Sequence, residues 1–175
     1  MAARNLVKLG ALEVQKTALF VCDIQEVFRP HIKHFEEVVK VANKMIEAAK
    51  VFKIPIYVSE QYPKGLGRTA KDVKIDDATL VYEKTLFSMY TPELQQKLAK
   101  DVPELNDIAV HILADGVSSR SHMDRGLALQ RLSALGCFVT TSENVLFKLL
   151  RDKDHPAFKS ISKLNKLPTV SLNIK

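Results

Sequence analysis

Cys22 and Asp23 stand side by side in the stretch LFVCDIQEVF, a thiol next to a carboxylate. Such a pair can do nucleophilic chemistry: the carboxylate takes the thiol proton and the thiolate attacks an electrophilic carbon. Periodicity argues against that pairing here. The stretch reads as a strand, and neighbouring strand residues point to opposite faces. An Asp23 that faces a pocket leaves Cys22 facing away, packed as a small buried apolar group. Other polar residues also close apolar runs: Ser59 and Glu60, Lys84, and Asp115. A lysine ammonium among them can stabilise a developing anion. Solubility alone also puts polar residues at strand ends, so spacing does not separate the two readings. Cys137 opens an apolar run, at the far end from these residues. The five histidines make no metal set: His31 and His34 are three apart without a partner at ligand spacing, and His111 alternates within a strand pattern. KGLGRT lacks the Gly-Lys-Thr order of a phosphate loop. Neither a metal nor a cofactor is expected.

The elements that must position these residues alternate between strand and helix. Ala18 to Cys22, Ile54 to Glu60, Leu80 to Lys84, Ala109 to Asp115 and the run CFVTT are short and apolar, as buried strands are. Between the first two, Phe35, Val38, Val39, Ala42, Met45, Ile46 and Ala49 recur at helical steps. Thr91 and Pro92 fit the cap and first position of a second helix. SHMDRGLALQRLSAL predicts a third, with Ala128, Leu132 and Leu135 on one face and Gly136 past its end. TSENVLFKLL predicts a closing helix, Thr140 and Glu143 having capping-box spacing. Strands separated by amphipathic helices imply an α/β protein with a parallel sheet covered on both faces, and ligands bind beyond the C-terminal ends of such strands.

With 175 residues, the chain suits a single domain over 1–175, its core spanning about 14–165 and its ends peripheral. No apolar run approaches the roughly 20 residues that cross a bilayer. The net charge of +6 and pI near 9.3 raise nucleic-acid binding, but the lysines are mixed with acids and the aromatics are not interleaved with arginine. A solvated basic surface and no nucleic-acid or membrane partner are expected. Two cysteines outside any disulfide or metal pattern suit a reducing compartment, the cytoplasm first. An acid-free start with Arg4 and Lys8 leaves a mitochondrial presequence open, and the nucleus is not excluded either.

Five stretches in order, ALFVCDIQEVFR, VSEQYPKGLGRT, YEKTLFSMY, ADGVSSRSHMDRGLALQRL and TTSENVLFKLL, resemble the isochorismatase-like cysteine hydrolases over about residues 14 to 165. That resemblance implies a three-layer α/β/α fold. It implies thiol-dependent hydrolysis of a small molecule with an amide, imide or vinyl-ether bond. Its catalytic aspartate falls on Asp23 and its lysine on Lys84, with Gln25, Phe28 and Tyr62 shaping the substrate pocket. The family's cysteine heads a helix after a strand that should lie between Lys84 and VHILADGVSSRS. No such segment is present: LAKDVPELNDI runs straight into AVHILADG. One β–α unit, on the order of 30 residues, looks excised near Ile108 and Ala109. Two consequences are open. AVHILAD slides into the vacated slot beside the first strand, giving a five-stranded sheet with Ser118, Ser119 or Ser121 near Asp23, or the shortened chain is unstable. As written, the chain is expected to be a hydrolase-family member without its nucleophile, or a non-catalytic binding protein that associates with itself or with an intact relative.

Overall fold

The computed structural model describes residues 10–102 and 108–166. The first nine residues, read above for a presequence, the end of the basic tail FKSISKLNKLPTVSLNIK, read as a peripheral end, and the PELND segment before the junction lie outside the described residues. The chain enters on β1 (Leu19–Cys22) and passes through a short turn at Glu26–Phe28 into the helix α1 (Phe35–Phe52). It returns on β2 (Ile56–Gln61), makes one helical turn at Pro63–Leu66 and continues on β3 (Leu80–Lys84). There follow α2 (Pro92–Asp101), β4 (His111–Leu113), α3 (His122–Ala134), β5 (Phe138–Thr140), α4 (Ser142–Leu150) and α5 (Phe158–Asn165).

α1 is the spine. Its buried residues include Phe35, Val38, Val39, Met45, Ile46 and Ala49 of the helical stripe read from the sequence, whose Ala42 is half-buried, and Phe52 beyond it. Glu36 and Glu37 in its first turn suit the positive end of the helix. The stripe packs against Val21 of β1, Ile56 and Val58 of β2, Leu146 and Leu149 of α4 and Ile161 of α5. Burying each such side chain contributes about 1.5–3 kcal/mol. Tyr57 and Tyr82, one residue out of phase with that core, pack instead with Leu94 and Leu98 of α2. α2 is closed at its start by Thr91, whose side chain accepts from Leu94 N, with Pro92 in the first turn.

All strand pairs are parallel, but they form two sheets. β2 lies between β1 and β3, with Val58 level with Val21 and Val81. β4 pairs with β5, His111 level with Phe138. The five-stranded sheet is therefore not formed, and β4 does not slide beside β1. Its far end is fixed elsewhere: Asp115 accepts from Ser142 N (2.8 Å) and Ser142 Oγ (2.5 Å) at the head of α4. Gly116 follows, so close to Val41 of α1 that an added Cβ would meet its side chain at 2.9 Å. The end of β4 is thus held against α1 and α4 rather than laddered to β1.

Three other expectations need correction. On α3, Arg125 and Leu129 are buried, whereas Ala128 and Leu135 are exposed and Leu132 is half-buried. Two strands of three residues offer that helix too little surface for the face the sequence suggested. Arg125 turns inward because its guanidinium donates to the carbonyls of Ala114 and Val117. The cap of α4 is Thr141, accepting from Asn144 N, rather than Thr140. The first half of the basic tail is the helix α5, with Ile161 wholly buried.

Lys44 is the anomaly of the core. It lies on α1 at 3% exposure, and its Nζ has no hydrogen-bond partner. Burial pulls its pKa down, and the carboxylates of Asp115 and Glu143 oppose that only in part. A base with a depressed folded-state pKa binds fewer protons folded than unfolded, so its cost is full below the folded value and fades as pH rises from there to the ordinary lysine value. Replacing Lys44→Met is expected to stabilise the chain at pH 7 by about 1–3 kcal/mol, raising the melting temperature in a circular-dichroism melt, with a smaller gain at pH 10.

Candidate active site

The site is assembled where β1, β2 and β3 end. Asp23 follows β1 with φ of 52°, a left-handed conformation that is uncommon outside glycine. Its amide still donates to Ser59 O (3.1 Å), so the ladder runs to the turn and then breaks. The carboxylate receives Ser59 Oγ at 2.7 Å on one oxygen and Lys84 Nζ at 2.7 Å on the other. Lys84 is the last residue of β3, with a side chain only 1% exposed. Its ammonium also donates to Gln61 Oε1 (2.6 Å) and Leu86 O (3.2 Å), one acceptor for each of its protons. Asp23 is 20% exposed, so the lysine lies beneath a carboxylate that solvent reaches. Removing one partner of such a buried pair costs about 3–5 kcal/mol.

Gln25 is fully buried beneath this pair. Its Nε2 donates to Gln61 O (3.0 Å) and Gly67 O (2.6 Å), and its Oε1 accepts from Gln61 N (2.7 Å). Both amide protons are spent on backbone, so Gln25 shapes the site by holding the 61–67 loop. Glu60 does similar work behind it. Burial would raise its pKa, but hydrogen bonds from Thr69 and Arg68 outweigh that and hold the carboxyl below its usual value. Tyr62 is exposed beside the site, its amide donating to Lys84 O (2.7 Å). Phe28 is half-buried against the main core. Asp115 is engaged at α4, and Ser118 and Ser121 are also occupied elsewhere. Ser118 Oγ donates to Lys33 O, and Ser121 caps α3. Gln61 is the wiring the sequence did not single out, and the Ser59 contact with Asp23 was not foreseen. Ser59 stood among the polar strand ends, but a contact across 36 residues has no local signature.

Cys22 departs from the sequence reading. The turn at Asp23 interrupts strand alternation, so Cys22 Sγ lies 3.6 Å from Asp23 Oδ2, and the residue is exposed rather than core. The two groups do meet, yet the arrangement disfavours a nucleophile. Crowding of the sulfur by protein atoms, followed by the Asp23 carboxylate, pushes the thiol up to about 11, with Ser59 and Lys84 opposing weakly. Cys137 is half-buried just before β5, its amide donating to Leu132 O (3.0 Å). Among the described residues, no three His, Cys, Asp or Glu side chains gather as a metal set.

Comparison with known proteins gives a consistent picture. The isochorismatase domain model matches residues 17–105. Isochorismatase domain-containing protein 1 of Danio rerio is 40% identical over 186 residues, covering 93% of this chain and 65% of the fish protein. The chain thus spans less than two thirds of that relative's length. The structure of MAR1 ribonuclease from Caenorhabditis elegans is similar at a TM-score of 0.84 and 35% identity, covering 93% of this chain and 97% of that one. The YcaC gene product of Escherichia coli, an octameric hydrolase of unknown specificity, shares the fold at a TM-score of 0.76 and 16% identity, over 88% of each chain.

The thiol environment is directly measurable. At pH 8, Cys22 is expected to react with iodoacetamide on the order of 100-fold more slowly than a free thiol, because only the thiolate attacks. Asp23→Asn should speed that reaction, as followed by peptide mass spectrometry.

Proposed function

Since this chain belongs to the isochorismatase family, we propose that it keeps the acid–base half of a small-molecule hydrolase site and lacks the strand–helix unit that would bring the nucleophilic cysteine. In that reading Asp23 is the base that would take a thiol proton and Lys84 holds its carboxylate and steadies the anion formed. Gln25 sets the loop that frames the site, and Tyr62 and Phe28 border it. The substrates suited to such a site are small amides, imides or vinyl ethers. The chain as written binds such a ligand without cleaving it through a covalent thiol intermediate. It acts as a binding or interaction partner, alone or with an intact relative.

The observation that carries the reading is the divided sheet. β1 and β4 form no ladder with each other, and each has an unpaired edge among the described residues. Two further observations support it. The family match stops at residue 105, just before β4. The alignment with the zebrafish protein has 186 positions against 93% of 175 residues, so about 23 positions of the relative fall opposite no residue here. Neither remaining thiol supplies a replacement, Cys22 being held protonated and Cys137 lying before β5. The free cysteines suit a cytoplasmic setting. No helix among the described residues is long and apolar enough to cross a membrane.

A second reading comes from the name of the C. elegans neighbour, a ribonuclease. RNA would suit the net charge of +6. The site itself offers one carboxylate and one buried ammonium, which fits acyl chemistry on a small substrate better. The purified 175-residue chain is expected to show no turnover of small amides that iodoacetamide abolishes, and no cleavage of single-stranded RNA. Iodoacetamide-sensitive hydrolysis would sink the first reading, and RNA cleavage lost in Asp23→Asn would establish the second.

A further inference from the structure

The unpaired edges of β1 and β4 have a defined chemistry. In a parallel strand, amide and carbonyl groups of alternate residues serve alternate neighbours. Leu19 and Asp23 donate to Pro55 O (3.0 Å) and Ser59 O (3.1 Å), so Leu19, Val21 and Asp23 serve β2. Phe20 and Cys22 turn their backbone groups the other way. In the second sheet, Val110 O accepts from Phe138 N (2.8 Å), so Val110 and Ile112 serve β5. His111 and Leu113 present theirs to the outer edge.

Both edges belong to strands that lean on α1, directly at Val21 and through Leu113 and Gly116. The loops after them are tied together, Lys33 N donating to Ser119 O (2.9 Å) and Ser118 Oγ to Lys33 O. Apolar side chains lie open alongside: Phe20 is 43% exposed, stacked on Tyr57, and Ile108 and Val110 lead into β4 exposed. Unpaired edges of this kind are templates for an added strand.

The geometry points to a docking slot for one strand of a second polypeptide, which enters between β1 and β4, runs parallel to both and pairs with Phe20 and Cys22 on one side and His111 and Leu113 on the other. The occupant that fits is an apolar strand followed by a helix. About 23 positions of the zebrafish relative face no residue of this chain, enough for one strand, one helix and short connections. The partner is therefore a family member that lends this unit. The inference rests on the reading of the excised unit given above and adds that its place is kept open for binding in trans.

The test titrates the full 175-residue chain into a fluorescein-labelled synthetic peptide of about 23 residues, the segment of the zebrafish relative that immediately precedes its counterpart of β4. A saturable rise in anisotropy is expected. Amide exchange at Phe20, Cys22, His111 and Leu113 should slow at least about tenfold on binding, as hydrogen bonds form. The same peptide N-methylated at alternate strand positions should bind at least about tenfold more weakly, since it removes donors and leaves the protein untouched. Absence of binding, or equal binding of the N-methylated or a scrambled peptide, overturns the proposal. So does protection of the four amides before any peptide is added, by this chain's own tail if sedimentation shows a monomer or by a second copy if it shows a dimer. Turnover by the chain alone would remove the earlier reading and leave peptide binding to be judged on its own, whereas an inert chain that binds no peptide removes only this one.

Discussion

Two sheets that share no hydrogen bond among the described residues are held in one molecule by the apolar face of α1. Everything else hangs on that packing. β1 and β2 lay Val21, Ile56 and Val58 against the helix. The second sheet reaches it through Leu113, and through Gly116 beside Val41. α4 and α5 close over the same stripe with Leu146, Leu149 and Ile161. Non-directional apolar burial tolerates the break in the sheet because it does not require adjacent ladders, only surface to cover. The molecule therefore keeps an α/β arrangement even where its strand order is interrupted.

The polar site sits at the edge of that interruption and is built by a different force. Lys84 is buried, which is tolerable only because Asp23, Gln61 and Leu86 O together take its three protons. Gln25 in turn fixes Gln61, so the ammonium depends on a carboxamide that touches no solvent. These bonds fix the direction of the Asp23 carboxylate before any ligand arrives. A carboxylate held beside a locked cation is costly to assemble, and the hydrogen bonds of Ser59 and Gln61 hold it here. Cys22 illustrates the reverse case: crowding of its sulfur, and then proximity to the same carboxylate, push the thiol up, and Ser59 and Lys84 do not offset them.

Much of this was legible in the sequence, for physical reasons that differ by element. The stripe of α1 and the Thr91–Pro92 start of α2 are local patterns, and the structure reproduces them. The meeting of Asp23 and Lys84 followed from two strand ends that a parallel sheet brings to one side. The orientation of Cys22 did not, because one left-handed residue, Asp23, resets the alternation on which the reading relied. α5 was hidden by its lysines, although Phe158, Ile161 and Leu164 keep helical spacing and all reach the core. The exposed face of α3 could not be foreseen, since its burial depends on how many strands stand beneath it. The divided sheet was the least accessible feature: the expectation of an excised unit did not say whether the flanking strands would close over the place.

The division of the sheet also sets how the molecule comes apart. A continuous ladder couples every strand to its neighbours, so that opening one strand strips the next and the whole unfolds together. Here β4 and β5 can lose their pairing without breaking any bond of β1, β2 or β3. The second sheet, with strands of three residues and half-buried side chains, is the weaker of the two. Local opening is thus expected to begin in the second sheet under denaturant or protease, ahead of the sheet that carries the Asp23–Lys84 pair.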